Sequence, residues 1–147
     1  MILLIPRALL LGEAFYERDL AFDWVTQVEV FVRSVTSGSW PLWDNAKAFG
    51  QPLLANPDAQ ILYPPTWLNL VVRPWTYYTL FVAAHLLLAG IGASLLARAF
   101  GASRGAAVAA GALFMASGPL LSLVNLWHHF ASAAWIPWVA LGAEATA

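Results

Sequence analysis

Cysteine is absent from this sequence of 147 residues, and charged side chains make up only 10% of it. The absence of cysteine excludes a disulfide scaffold, a zinc–thiolate centre and a thiol nucleophile. Soluble domains carry about 25% charged residues, so this chain has too few to cover the surface of a soluble protein. The net charge of −1 excludes the basic surface that nucleic-acid binding requires, and we expect no nucleic-acid partner.

Hydrophobic residues make up 61% of the sequence and are concentrated in long runs. Residues 77–96 and 106–126 contain no Asp, Glu, Lys or Arg. A helix of about 20 residues is long enough to cross the hydrocarbon core of a membrane. Eight Trp and four Tyr fit the boundary between lipid and water, where such rings are enriched. The sequence therefore predicts an all-α fold, a polytopic bundle of transmembrane helices.

The arginines predict how these helices are oriented. We expect transmembrane helices at 71–98 and 106–126, joined by a turn at 99–105. Arg98 and Arg104 lie at the two ends of that turn, and positively charged residues favour the cytoplasmic side. The turn is therefore predicted to be cytoplasmic.

The remaining segments follow from this orientation. Residues 13–70 contain seven of the eight acidic residues and are predicted to form a large extracytoplasmic loop. We interpret residues 1–12 as the end of a first transmembrane helix, and 130–147 as the start of a further one. The chain is therefore expected to be a fragment of a longer, multi-pass membrane protein.

One helix is predicted inside the loop, over residues 20–36, with Asp19 as its N-cap. Its apolar residues recur every three or four positions, as on one face of a helix: they are Trp24, Val28, Phe31 and Val35. Such an amphipathic helix could lie flat on the membrane surface. It could equally pack against a core formed by the loop itself.

Two features of the membrane segments predict how the helices pack. Small residues recur at helical spacing, which allows close contact between helices in lipid; they are Ala89, Ala93, Ala97, Ala107 and Gly111. The same spacing can arise by chance in a segment rich in Ala and Gly. Pro119, in the sequence Ser-Gly-Pro, is expected to kink the second helix because proline lacks a backbone donor.

Several polar residues are predicted to meet near the outer membrane face: Arg18, Asp19, Asn56, Tyr63, Arg73 and His128. A carboxylate there could act as a general base or hold a divalent cation, and Arg or His could bind phosphate. The alternative is that these are ordinary polar residues at the lipid–water boundary. His85 lies within a predicted span, where an ionisable side chain is either functional or bonded to a neighbouring helix.

Four stretches of the sequence resemble a known family. The first three are YERDL at 16–20, GSWPLWD at 38–44 with FGQPLLANP at 49–57, and YPP at 63–65. The fourth is HLLLAG at 85–90, followed by SGP at 117–119 and WIP at 135–137. In this order they resemble the N-terminal part of the YfhO-like bacterial membrane proteins, which belong to the polytopic glycosyltransferases of the GT-C fold. The resemblance covers nearly the whole chain, and the segment from Pro41 to Pro65 is its most specific part.

The resemblance implies an enzyme that transfers a sugar from a polyprenyl-phosphate donor to an acceptor in the cell envelope, either a polymer or a lipid. It implies that Asp19, by its position in the first outer loop, is the catalytic base or a ligand of a divalent cation. Arg18, Arg73 and His128 would contact the donor phosphate. Where many family members have Asn in a Pro-Leu-Trp-Asn pattern, this chain has Asp44.

We therefore expect part of a glycosyltransferase in the bacterial cytoplasmic (inner) membrane, with membrane lipid and a lipid-linked sugar as its partners. Asn56 and Tyr63 are expected to shape the substrate site. Two alternatives come from other classes of protein. One is a transporter or flippase for a lipid-linked substrate, and the other is a noncatalytic membrane scaffold.

Overall fold

The computed structural model of the chain describes residues 20–47 and 49–146. Within this part the chain is mostly helical, as predicted, with one short pair of strands in the predicted loop. The predicted membrane segment at 1–12 and the predicted N-cap Asp19 lie outside the described residues.

The described residues form two compact units, 20–81 and 82–146. In the part that the structure describes, two helices are long and apolar enough to cross a membrane, Pro74–Ala99 and Arg104–Ser122. The first begins at Pro74, three residues after the predicted start. Proline disfavours helical geometry in the residue before it and is itself well suited to the first helical position.

The first unit begins with the helix predicted inside the loop. A single π-helical turn, Leu20–Trp24, leads directly into α1, Val25–Thr36. The helix ends in a Schellman motif, in which the amide of Gly38 donates to Val35 O at 3.0 Å and the amide of Ser39 donates to Ser34 O at 2.9 Å. Gly38 has φ = +78°, which glycine adopts without steric cost.

The apolar stripe of this helix packs within its own unit. Trp24, Val28 and Phe31 are buried, and the Trp24 ring stacks against Tyr77 with centroids 5.9 Å apart. Phe31 belongs to a buried cluster with Leu53, Ala59 and Ile61. Of the two alternatives left open by the sequence, the structure shows the helix packed on a protein core, which the loop supplies together with Tyr77 of the first candidate span.

A small hairpin follows α1. Strands β1, Trp43–Asp44, and β2, Gln51–Pro52, pair in antiparallel register, with Trp43 opposite Pro52. The Asp44 carboxylate accepts a hydrogen bond from Ala46 N at 2.8 Å, which starts the turn in the manner typical of Asp. The Trp43 ring lies directly over Gly50, where a Cβ would be 3.1 Å from its Cε2 atom. The hairpin therefore requires glycine at position 50.

Two 3₁₀ turns, Pro57–Ala59 and Pro64–Leu70, connect the hairpin to α2, Pro74–Ala99. Both begin with proline, whose fixed φ suits the first position of a helical turn. The Trp67 indole donates to Ile61 O at 2.9 Å, and its ring meets Phe31 edge to face at 5.3 Å. The proline-rich segment is thus folded back on α1.

We expect this segment to resist proteolysis despite its many turns. In membranes containing the intact protein, a nonspecific protease should leave residues 38–65 uncut, except near the hairpin tip at Phe49, which is fully exposed. Buried side chains and backbone hydrogen bonds on both sides of the tip resist the local unfolding that cleavage requires. The measurement is mass spectrometry of fragments over time. Rapid cleavage throughout 38–65 would contradict an ordered loop.

The second unit contains the hairpin of two helices that the sequence predicts. Helix α2 ends in another Schellman motif, with Gly101 at φ = +83° and a bond from Ala102 N to Ala97 O at 3.0 Å. Helix α3, Arg104–Met115, begins two residues after Ala102. The hydroxyl of Ser103 accepts a hydrogen bond from Ala106 N at 3.3 Å. The helices are therefore joined by a tight, fully capped turn.

Near Pro119, where the sequence predicted a kink, the second candidate span is interrupted. The candidate span Arg104–Ser122 consists of two helical pieces. Helix α3 ends at Met115, and the short helix α4, Gly118–Ser122, has Pro119 in its first turn. The last helix, α5, runs over Trp127–Glu144 and contains Pro137. The second candidate span thus ends at Ser122, whereas the sequence predicted that it ends at 126.

Close backbone contact joins α2 and α3. A Cβ added to Gly111 would collide with the carbonyl oxygen of Gly90 and with the Ser94 hydroxyl. Ala89 and Ala107, from the same predicted small-residue rows, are buried. The small residues therefore form part of a real helix contact and are not merely a product of composition.

Helix α5 is fixed to α2 by a tryptophan. The Trp138 indole Nε1 donates to Leu88 O at 2.9 Å, and the ring lies against Gly92, where a Cβ would be 2.5 Å from Nε1. The carbonyl of Leu88 thus has a donor beyond its own helix, and glycine at 92 leaves the space that the ring occupies.

Candidate functional site

The two residues to which the resemblance assigns the most chemistry, Arg18 and Asp19, lie outside the described residues. Their neighbour Asp23 is described. Its carboxylate forms an ion pair with the Lys47 ammonium, and both side chains are more than one-third exposed. The pair links the start of the helical segment to the tip of the hairpin. A half-exposed pair of this kind contributes about 0–1 kcal/mol to stability.

Asn56 has a structural role at the start of a 3₁₀ turn. Its side-chain oxygen accepts a hydrogen bond from Asp58 N at 3.0 Å, and its backbone is extended with ψ = 113°. This is the geometry of an N-cap, for which Asn is among the preferred residues. Asn56 as a whole is half-buried.

Tyr63 precedes the second 3₁₀ turn, Pro64–Leu70, and is half-buried. Its ring meets Phe81 nearly perpendicularly, at 86° and a centroid distance of 6.5 Å. This edge-to-face arrangement is favourable for aromatic pairs. Tyr63 therefore connects the proline-rich segment to the first two turns of α2.

Arg73 lines a cavity of about 480 Å³ at the base of the first unit. The cavity combines exposed charged side chains with a half-buried apolar wall. Its lining includes Glu29, Val32, Arg33, Asn69, Val72 and Arg73. Small-molecule sites have volumes of about 300–1,000 Å³, and this cavity lies within that range. Arg33 of α1 and Arg73 both line it, which the sequence did not predict.

Asn69 supports one wall of this cavity. It is 5% exposed, and its amide nitrogen donates to Thr66 O at 2.8 Å. Its side-chain oxygen is buried without a hydrogen-bond partner among the described residues. Unpaired buried acceptors are rare in folded proteins. Asn69 thus combines a structural bond with an unused acceptor in the wall of the cavity.

Asp44 is the most deeply buried described carboxylate, at 2% exposure. It occupies the position where the resembling family has Asn. Its hydrogen bond from Ala46 N is one that an Asn side chain could equally accept. The position therefore has a turn-forming role that both residues satisfy.

The histidines lie in the second unit. His128 is half-buried, with its ring 5.4 Å from Trp127 and 4.1 Å from His129. His85 is 4% exposed, and its ring lies 6.1 Å from Phe130. Thus Asn56, Tyr63 and Arg73 belong to one unit, and His128 belongs to the other.

No group of three or more His, Asp or Glu side chains that could hold a metal ion occurs among residues 20–47 and 49–146. A divalent cation at Asp19 stays a prediction, because that residue is outside this part of the chain.

Compared with known proteins, the chain matches no family model, no curated protein and no solved structure. The resemblance to YfhO-like proteins stays a prediction from the sequence motifs.

Proposed function

We propose that this chain is part of a multi-pass protein of the bacterial cytoplasmic membrane, with residues 13–70 on the outer face. The outer face is proposed for residues 13–70 because Arg98 and Arg104 favour the cytoplasmic side for the turn between the spans. The observation that carries the membrane placement is that the two candidate spans are largely unburied. In the 18-residue apolar stretch of each span, only 39% is buried for Pro74–Ala99 and only 17% for Arg104–Ser122. The core helix of a soluble protein would be mostly buried, whereas a helix in lipid exposes apolar side chains.

The side chains on the exposed face of α2 support the same placement. Leu80, Leu87, Ile91 and Leu95 recur at helical spacing and are 43–58% exposed. An exposed apolar row of this length is unusual for a monomeric soluble protein and typical of a surface that contacts lipid or a partner. Contact with acyl chains would cover it.

We further propose that the complete protein transfers a sugar from a polyprenyl-phosphate donor to an acceptor polymer or lipid in the cell envelope. The support is the order of the four sequence motifs, together with a compact folded loop directly before a candidate span. In this proposal Asp19 is the base or a cation ligand, Arg18 and Arg73 contact phosphate, and Asn56 and Tyr63 hold the site in shape.

The reaction is tested with the full-length protein in proteoliposomes. A radiolabelled polyprenyl-phosphate sugar is supplied, and the label is followed into envelope lipid or polymer fractions. Transfer that depends on the protein supports the proposal. Movement of labelled donor between leaflets without transfer would instead identify a flippase. A protein that does neither, although folded and inserted, would be a scaffold.

The topology gives a separate prediction, and the absence of cysteine makes the test clean. In otherwise cysteine-free protein, Ser39→Cys should react with a membrane-impermeant thiol reagent in intact cells, and Ser103→Cys should react only after permeabilisation. Both residues are exposed, so reactivity reports the side of the membrane. Because Ser103 is an N-cap, Phe100→Cys, at a position that is 74% exposed, serves as a second reporter of the same turn. Labelling of the turn but not of position 39 in intact cells would show that the chain has the opposite orientation in the membrane.

A further inference from the structure

Charged side chains of both signs line the Arg73 cavity. Arg33 and Arg73 provide two positive charges and Glu29 provides one negative charge, and all three side chains are exposed. Among residues 20–47 and 49–146, no carboxylate forms an ion pair with either guanidinium. The charged groups of this cavity are therefore available to a ligand.

Each of these groups suits a particular partner. Guanidinium groups bind phosphate oxygens through paired, charge-assisted hydrogen bonds. An ionised carboxylate is an acceptor only, so it selects a ligand group that donates hydrogen bonds. Two guanidiniums and one carboxylate on a single cavity therefore fit a small molecule that carries a phosphate and a nearby donor, preferably a cationic one.

The position of the cavity along the chain indicates where such a ligand comes from. Arg73 and Pro74 both line it, and Pro74 is the first residue of the candidate span α2. A cavity at the end of a membrane-spanning helix lies at the level of the lipid headgroups. The exposed apolar side chain of Val71 also lines the cavity and could contact the start of an acyl chain.

We propose that this cavity binds the phosphoethanolamine headgroup of a membrane phospholipid. Arg33 and Arg73 hold the phosphodiester, and the Glu29 carboxylate accepts hydrogen bonds from the ammonium. A choline headgroup has no hydrogen to donate to Glu29, and a glycerol headgroup offers only neutral hydroxyls. The site therefore selects its lipid through Glu29 and holds it through the arginines.

The inference rests on the membrane placement proposed above but not on the transfer reaction, and it assigns the phosphate contacted by Arg73 to a phospholipid headgroup instead of the sugar donor. The binding measurement described next is made in detergent, so it gives a result whether or not the full-length protein transfers sugar. Failure of membrane insertion would be seen separately, by fractionation of cells.

The test is lipid binding to the 147-residue chain in micelles of a neutral detergent, measured by native mass spectrometry with short-chain lipids added in series. Phosphatidylethanolamine is expected to bind more tightly than phosphatidylcholine or phosphatidylglycerol. Arg33→Gln and Arg73→Gln should each weaken the binding of all three lipids. The loss of one charge-assisted contact should lower the affinity on the order of tenfold. Glu29→Gln should weaken the binding of phosphatidylethanolamine alone, so that its affinity is no longer higher than that of phosphatidylcholine.

Arg104→Gln is the matched control, because Arg104 is also an exposed arginine at the first residue of a candidate span. It should leave all three affinities unchanged. Circular dichroism checks that each variant retains its helices, and Arg73→Lys, which keeps the charge, gives a second reading if Arg73→Gln is poorly folded. Arg73→Lys should bind more weakly than the unaltered chain and more tightly than Arg73→Gln.

Three results would overturn the proposal. The first is an equal loss of binding in Arg104→Gln and Arg73→Gln, which would show general attraction between cationic protein and lipid. The second is tighter binding of phosphatidylglycerol than of phosphatidylethanolamine. The third is displacement of the lipid by inorganic phosphate or soluble phosphoethanolamine at equal concentration, which would identify a site for a free anion rather than for a lipid.

Discussion

Asp19→Asn in the full-length protein is expected to lower the rate of sugar transfer by about 10²- to 10⁴-fold, the contribution typical of a positioned general base. The substitution removes the basic oxygen and preserves the size and shape of the side chain. Asn is about as good a helix N-cap as Asp, so a residue that only caps the following helical segment would tolerate it. The measurement is transfer from a polyprenyl-phosphate sugar in reconstituted membranes, at matched protein levels.

Asp23→Asn is the matched control for this prediction. Asp23 lies four residues further along the chain, and its carboxylate pairs with Lys47 at a partly exposed position. Losing such a pair costs little stability, so Asp23→Asn should transfer sugar at nearly the normal rate. Near-normal transfer by Asp19→Asn would leave Asp19 with a structural role only.

The second large effect is expected at the contact between α2 and α3. Gly111→Val places a branched side chain against the carbonyl oxygen of Gly90, and a backbone atom cannot rotate away as a flexible side chain can. Overpacking of this kind costs about 1–3 kcal/mol or more. We expect the two helices to separate, with a clear fall in the thermal midpoint of the chain in detergent.

Gly105→Val is the appropriate comparison, because it makes the same substitution in the same helix. A Cβ at Gly105 meets nothing within 4 Å, so the variant shares the change in helix propensity without the collision. It should unfold at a temperature close to that of the unaltered chain. Equal destabilisation by the two variants would show that propensity, and not the close contact, is responsible.

Local features of this fold could be predicted from the sequence because they depend on neighbouring residues. The spacing of Trp24, Val28 and Phe31 indicated a helix with one apolar face. Pro119 indicated a kink, and the structure has a break in the helix there.

The features that could not be predicted depend on contacts between distant residues. Arg33 and Arg73 are 40 positions apart, and nothing in either local sequence indicates that α1 and the segment before α2 line one cavity. The surface on which the α1 stripe packs was similarly undetermined, because lipid and a protein core both favour apolar side chains. The roles assigned to Arg18 and Asp19 come from the resemblance alone.

The hydrogen bond from Trp138 to Leu88 O has a consequence for the order in which the chain assembles during synthesis. Helices α2 and α3 are adjacent in sequence and can pair as soon as both have left the ribosome. Trp138 is made 50 residues after Leu88, so α5 must dock onto a hairpin that is already present. Because residue 92 is glycine, no side chain occupies the position of the indole ring before α5 docks. Premature release of the nascent chain before residue 138 would therefore leave the Leu88 side of the hairpin uncovered, a surface that quality-control proteases could recognise.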